Sequence, residues 1–157
     1  MSSDQPISSP PQSASSNILE VYGYWVAIKG PKALPFRVDF DPMDIRKHLP
    51  SVLLVDVEGL TEDGTGIYRY RLAGEREIAE RGSNPKGRLV TEAFYGGTVE
   101  RSVANYETVR KSRAPHFITI QFVNERGIPV NEEGVLLPFT EDGQSVSQIL
   151  VFSEERR

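Results

Sequence analysis

The apolar positions fall into blocks whose period changes along the chain. Residues 18–28 carry Ile18, Leu19, Val21, Tyr22, Tyr24, Trp25, Val26 and Ile28, which nearly encircle a helix opened by an Asn17 cap and stopped at Gly30-Pro31. A helix apolar on most sides needs cover on most sides. Asp41-Pro42 then opens a short helix that ends by Leu49-Pro50. Residues 51–58 are β-rich, residues 61–66 form a turn, and residues 67–72 return as a second strand. Its alternation puts Tyr68, Tyr70 and Leu72 on one face and Ile67, Arg69 and Arg71 on the other. Helical segments are predicted over residues 75–80, 89–94 and 98–112, the last with Val99, Val103, Tyr106 and Val109 at helical spacing. Three strands close the chain at residues 116–124, 134–139 and 145–152.

This order predicts an α+β domain: a five-stranded antiparallel sheet, a central helical block and an N-terminal flanking helix. The last strand is apolar on both faces, with Val146, Leu150 and Phe152 against Ile149 and Val151, so both sides of the sheet need cover. The helical block supplies one cover and the first helix the other. Residues 1–16 are Ser, Pro and Gln-rich and read as a disordered, removable tail. The domain proper is expected over residues 17–153, with a charged end at 154–157.

Composition narrows the function. Hydrophobic residues make 38% and charged residues 25% of the 157, ordinary for a globular domain. A net charge of -4 argues against a nucleic-acid partner, which calls for a basic surface. With no cysteine there are no disulfides, thiolate nucleophiles or Cys-based metal sites. The two histidines, His48 and His116, stand too far apart for a ligand pair of adjacent helical turns, so no metal site is expected. Residues 1–16 lack the marks of a signal peptide, and no run approaches the ~20 apolar residues that cross a bilayer. The expectation is a soluble, cytoplasmic protein with no membrane partner.

Several side chains invite chemistry. Tyr70, Phe94, Tyr95, Tyr106, Ile118 and Phe122 line a mostly apolar pocket in one reading and fill the core in the other. Arg69, Arg71, Arg76, Arg81 and Arg88 suit carboxylate or phosphate recognition, or else pair in solvent with Glu75, Glu77 and Glu80. Residues 82–87 lack the Gly-Lys-Ser/Thr ending of a phosphate loop. His116 is a pocket candidate able to titrate near neutrality, against the plainer reading of a strand-edge histidine. Asp39 and Asp41 form a carboxylate pair, although capping explains Asp41.

The strings Tyr24-Trp25, Phe40-Asp41-Pro42 leading to Leu49-Pro50, and Tyr68-Arg69-Tyr70-Arg71-Leu72-Ala73-Gly74 resemble a PAS branch. So do Gly87-Arg88, Leu136-Leu137-Pro138-Phe139 and Asp142-Gly143. The branch is the short bacterial PAS-like family once catalogued as a domain of unknown function. The resemblance implies a small cavity between sheet and central helices, a sensory or protein-interaction role, and no catalysis. It implies no cofactor here: a flavin adduct or cinnamoyl chromophore needs a cysteine, and both histidines fall outside the helical block that carries the haem ligand in relatives. A homodimer is expected. Leu19, Tyr22 and Val26 would cover the sheet and leave Ile18, Trp25 and Ile28 for the partner, with Tyr22 at the edge and Trp25 as anchor. A regulatory protein and a small molecule are the other expected partners. The competing class is a small isomerase or cyclase using a pocket Asp-Tyr pair.

Overall fold

Ser15, not Asn17, opens the first helix in the computed structural model, in which residues 5–156 are described. Its side chain accepts the Ile18 N–H at 3.1 Å, and helix α1 runs Ser16–Lys29. Three 3-10 turns follow, and the second starts with Asp41 accepting the Met43 N–H and Pro42 in the first position, as the sequence predicts. The hairpin is β1 (Val52–Leu60) and β2 (Gly66–Ala73). Helices α2 (Glu75–Arg81), α3 (Val90–Ala93) and α4 (Val99–Ser112) cross to β3 (His116–Val123), β4 (Pro129–Thr140) and β5 (Val146–Glu155). The sheet order is β2-β1-β5-β4-β3, with every neighbouring pair antiparallel.

Register sorts the core into two layers. Val135 lies opposite Phe152 and Phe117, and Leu137 opposite Leu150, on the outer face that α1 covers. Leu136 lies opposite Val151, and Val151 opposite Leu53, on the inner face beneath α2–α4. Both faces are thus buried, as the two-sided apolar pattern of β5 requires.

Two features correct the predicted alternation. Leu54 pairs with Leu72 but Val55 with Tyr70, so a bulge at Arg71 sends Leu72 to the face opposite Tyr70. Strand β4 also begins at Pro129 rather than residue 134, which brings Glu132 and Glu133 into the sheet.

The two sides of α1 exchange their expected roles. Ile18, Val21 and Trp25, spaced by three and four residues, form the line that meets the sheet, and each is buried. The Trp25 indole N–H donates to the Pro138 carbonyl at 2.8 Å, which holds the ring in the core. Tyr22 and Ile28 are half-buried against that core, Tyr22 with its ring edge-to-face on Phe117 at 5.2 Å. Leu19 and Val26 remain 44% and 43% exposed. Ile18 and Trp25 are therefore core residues of their own domain and not open to a partner.

The chain before α1 is tied down in part. The Ile7 N–H donates to His116 Nδ1 at 3.0 Å, and the Ile7 carbonyl accepts the Phe117 N–H at 2.8 Å. Residues 1–4 of the expected tail lie outside the described residues. At the other edge, Tyr70 exchanges hydrogen bonds with Gly87 and Arg88. Gly74 lets β2 turn into α2: a Cβ there would meet the Leu49 carbonyl at 2.0 Å. Among the described residues no helix is long and apolar enough to cross a membrane.

A charged cavity between the sheet and the central helices

Helix α2 sets Glu77 and Arg81 one turn apart, on the side that faces the sheet. The inner face of β4 supplies Glu132 and that of β2 supplies Tyr70, while α4 supplies Asn105 and Tyr106. Together with Tyr95 and Ile118 they enclose a cavity of about 60 Å³. That volume holds about two waters at ~30 Å³ each. A drug-sized ligand takes upwards of roughly 300 Å³.

The charged end of the cavity is tightly organised. Arg81 Nη1 donates to the Ala93 carbonyl at 2.9 Å and to the Tyr70 hydroxyl at 3.3 Å. Its guanidinium lies 5.0 Å from the Tyr70 ring centre and 5.5 Å from that of Tyr95. Arg81 Nε sits 3.6 Å from Glu77, too long for a hydrogen bond, and both Arg81 Nε and Glu77 Oε2 are buried without one. Burial raises the Glu77 pKa, against the pull of Arg81 and Arg76. Burial also raises Glu132, to about 7, helped by the nearby charges of Glu80 and Glu77. Arg76 anchors this end by donating to the Ser153 carbonyl at 2.7 Å and to Ser51 Oγ at 2.9 Å. A larger cleft of about 440 Å³ adjoins outside, and Tyr95 and Glu132 line both spaces.

Of the predicted pocket residues, Tyr70, Tyr95, Tyr106 and Ile118 meet in the cavity. Phe94 does not line it and is 40% exposed. Phe122 stands in the outer cleft, edge-to-face with Tyr95 at 5.5 Å. His116 lies at the start of β3 beneath Ile7, its pKa lowered by burial and then by Arg101. Among the arginines, Arg69 pairs with Glu58 and Arg71 with Asp56, on the surface. Arg76 pairs with Glu80 at the half-buried rim, whereas Arg81 and Glu77 pair inside the protein rather than in solvent. Asp39 pairs with Lys32 while Asp41 caps its turn, so the two aspartates share no site.

The residues missed are Glu77 and Glu132, because a glutamate reads as exterior by default. Glu132 did carry a signal: it is two residues before Gly134 and four before Leu136, in phase with the inner face. Among the described residues no group of three or more His, Cys, Asp or Glu could hold a metal ion.

The sequence profile of the PAS domain family matches residues 13–152. No curated protein matches significantly. Among solved structures, a light-oxygen-voltage domain studied with a flavin analogue superposes with a TM-score of 0.53 at 9% identity, over 73% of this chain and 83% of that one. The light-state light-oxygen-voltage domain of the photoreceptor aureochrome1 gives 0.50 at 8% identity, over 73% and 87%. The PAS domain of Bordetella pertussis BvgS gives 0.46 at 12%, over 74% and 86%. At such identities the likeness speaks for the fold alone. With the profile spanning nearly all of α1 through β5, and a sheet ordered β2-β1-β5-β4-β3, the chain belongs to the PAS domain family.

Proposed function

We propose that this PAS domain is a non-enzymatic sensory module of a bacterial cytoplasmic system, which reads a small polar molecule at its inner cavity. It passes the result on through contacts with a second copy or a regulatory protein. One observation carries the reading: Glu77 Oε2 and Arg81 Nε are buried at the cavity without hydrogen bonds. An unsatisfied buried group costs about 1–3 kcal/mol, so a polar guest gains up to that amount for each group it satisfies. A flavin or haem fits poorly, since the chain has no cysteine, the cavity is about 60 Å³, and neither histidine lines it. The isomerase or cyclase reading lacks half of its Asp-Tyr pair, because tyrosines but no aspartate are among the described residues that line the cavity. Nucleic acid is disfavoured by the net charge of -4.

The test is thermal unfolding of the full chain across a panel of anionic, neutral and cationic metabolites. A ligand that binds the native state raises the melting point. Turnover of that ligand would sink the non-enzymatic reading, and a panel in which nothing binds would sink ligand sensing.

A homodimer is supported by the exposed ridge Leu19, Gly23 and Val26, one line of α1. A Cβ built on Gly23 meets nothing within 4 Å, so the domain's own packing does not require this glycine. A helical glycine costs about 1 kcal/mol relative to alanine, and its use on an open ridge favours close approach of a second helix. Gly23→Ala should therefore stabilise the fold while weakening association in sedimentation experiments. Val26→Glu should give a folded monomer, and a parent already monomeric at high concentration refutes the dimer.

A further inference from the structure

Paired strands ordinarily bond through backbone N–H and carbonyl groups, and neither titrates. The segment before α1 departs from this at Ile7. Its carbonyl accepts the Phe117 N–H at 2.8 Å, but its own N–H donates to the imidazole Nδ1 of His116 at 3.0 Å. A backbone N–H can only donate, so this bond requires Nδ1 to be bare and the ring neutral. In an imidazolium both nitrogens carry protons, and Nδ1 would meet the Ile7 N–H donor against donor.

Little else holds the segment. Ile7 is 56% exposed, so its side chain anchors little apolar surface. Ser8 and Ser9 are exposed, and the next backbone bond among the described residues joins Ala14 to Pro11, within the segment itself. The chain is tied to the domain again at Ser15, whose N–H donates to Glu133 at 2.9 Å.

The charged neighbours of His116 come from α4. Glu100 and Arg101 share with it the groove that Gln5 and Ile7 border. Nothing charged stands on β3 beside it, and the β4 residue opposite is Leu136. Gln5, Pro6 and Ile7 do not titrate. Burial and then Arg101 lower the His116 pKa from its ordinary 6.5, while Glu100 is exposed and screened by solvent.

We propose that residues 5–9 form a pH-sensitive latch on the edge of β3, closed while His116 is neutral and released when its ring takes up a proton. Release frees the Phe117 N–H and opens the groove of about 580 Å³ that Ile7 shares with Arg101, Asn105 and Gln121. The open form binds the proton more tightly. Closure is therefore favoured in full above 6.5 and weakens as pH falls toward the lowered native pKa. His116 does not line the inner cavity, so the latch works with or without a ligand there.

The experiment is an NMR titration of the full chain. His48 and His116 are its two histidines, and His116→Asn tells their ring signals apart. In the parent His116 should titrate below 6.5, and in Ile7→Pro, which deletes the donating N–H, it should return toward 6.5. Amide exchange at Phe117, divided by the intrinsic rate at each pH, gives the protection of the closed form. From pH 8 to pH 5 that protection should fall, by up to about tenfold for each pH unit below 6.5. His116→Asn retains a side-chain acceptor but cannot titrate, so its Phe117 protection should be the same at both pH values. Circular dichroism checks that both variants fold, and if one does not, the other decides together with the parent's own profile. An unmoved His116 titration in Ile7→Pro overturns the latch. So does Phe117 protection that is flat with pH in the parent, or a pH dependence that survives in His116→Asn.

Discussion

Glu132→Gln keeps the shape of the side chain and removes its charge, which isolates the cost of holding that carboxylate inside. The native carboxyl ionises at about 7 instead of 4.5, first because it is buried and then because Glu80 and Glu77 stand near. Each pH step between those values corresponds to about 1.4 kcal/mol, so the full cost reaches about 3 kcal/mol. Solvent screens little of it, with the side chain 8% exposed. A raised native pKa gives stability that is whole below 4.5 and is lost as pH rises through about 7. The parent should thus carry nearly the whole cost at pH 8 and about a quarter of it at pH 5. His116, whose pKa is lowered, acts with the opposite sign, but it does so in both proteins and cancels in the difference. Urea unfolding followed by the fluorescence of Trp25, the single tryptophan and a buried one, reads the stability of each protein. The variant should exceed the parent by under about 1 kcal/mol near pH 5 and by about 2–3 kcal/mol at pH 8. A variant less stable than the parent at pH 8, or a difference that does not change with pH, refutes the reasoning.

Trp25→Phe keeps most of the buried ring but strands the Pro138 carbonyl, and should cost about 1–3 kcal/mol in denaturant unfolding, against about 3–5 for Trp25→Ala. Glu107 accepts hydrogen bonds from Tyr68, Gly66 and Arg110, which outweigh burial and lower its pKa to about 2. That lowered value stabilises the fold above 4.5 and is lost as pH falls toward about 2. Glu107→Gln should therefore be less stable than the parent at pH 7 and converge with it near pH 2, as followed by circular dichroism. A chain beginning at Asn17 loses the Ser15 cap and both Ile7 hydrogen bonds, so its melting point should fall by an amount matching at least the roughly 1 kcal/mol of a lost cap. Unchanged melting would restore the view of residues 1–16 as a passive tail.

The fold was legible because local signals agreed with one another: the Asp41-Pro42 cap, the turn at residues 61–66, and the period change from strand to helix at Gly74. What escaped was set by contacts distant in sequence. The bulge at Arg71 arises from how β2 fits β1, and nothing in an alternating Tyr-Arg-Tyr-Arg-Leu string announces it. Helix α1 offers two apolar lines of similar strength, and only the sheet decides that Ile18 and Trp25 turn inward while Leu19 and Val26 stay outside. The tyrosines of the cavity were visible as aromatic residues at helix and strand spacing. Its charged end was hidden, because burial of Glu77 and Glu132 depends on arginines supplied by a helix whose docking the sequence does not state.

The strap formed by Ile7 has a bearing on how the protein keeps itself from polymerising. A five-stranded open sheet has two free edges, and each is a template for another strand. At β2, residues Gly87 and Arg88 occupy the bonding groups of Tyr70. At β3, Ile7 satisfies Phe117, and among the described residues no backbone hydrogen bond reaches the outer side of Thr119 to Val123. Thr119 and Gln121 are exposed there, and Val123 is 65% exposed. Loss of the strap lengthens the bare edge by the part that carries Phe117, and fibrillation of a shortened chain would start from this strand.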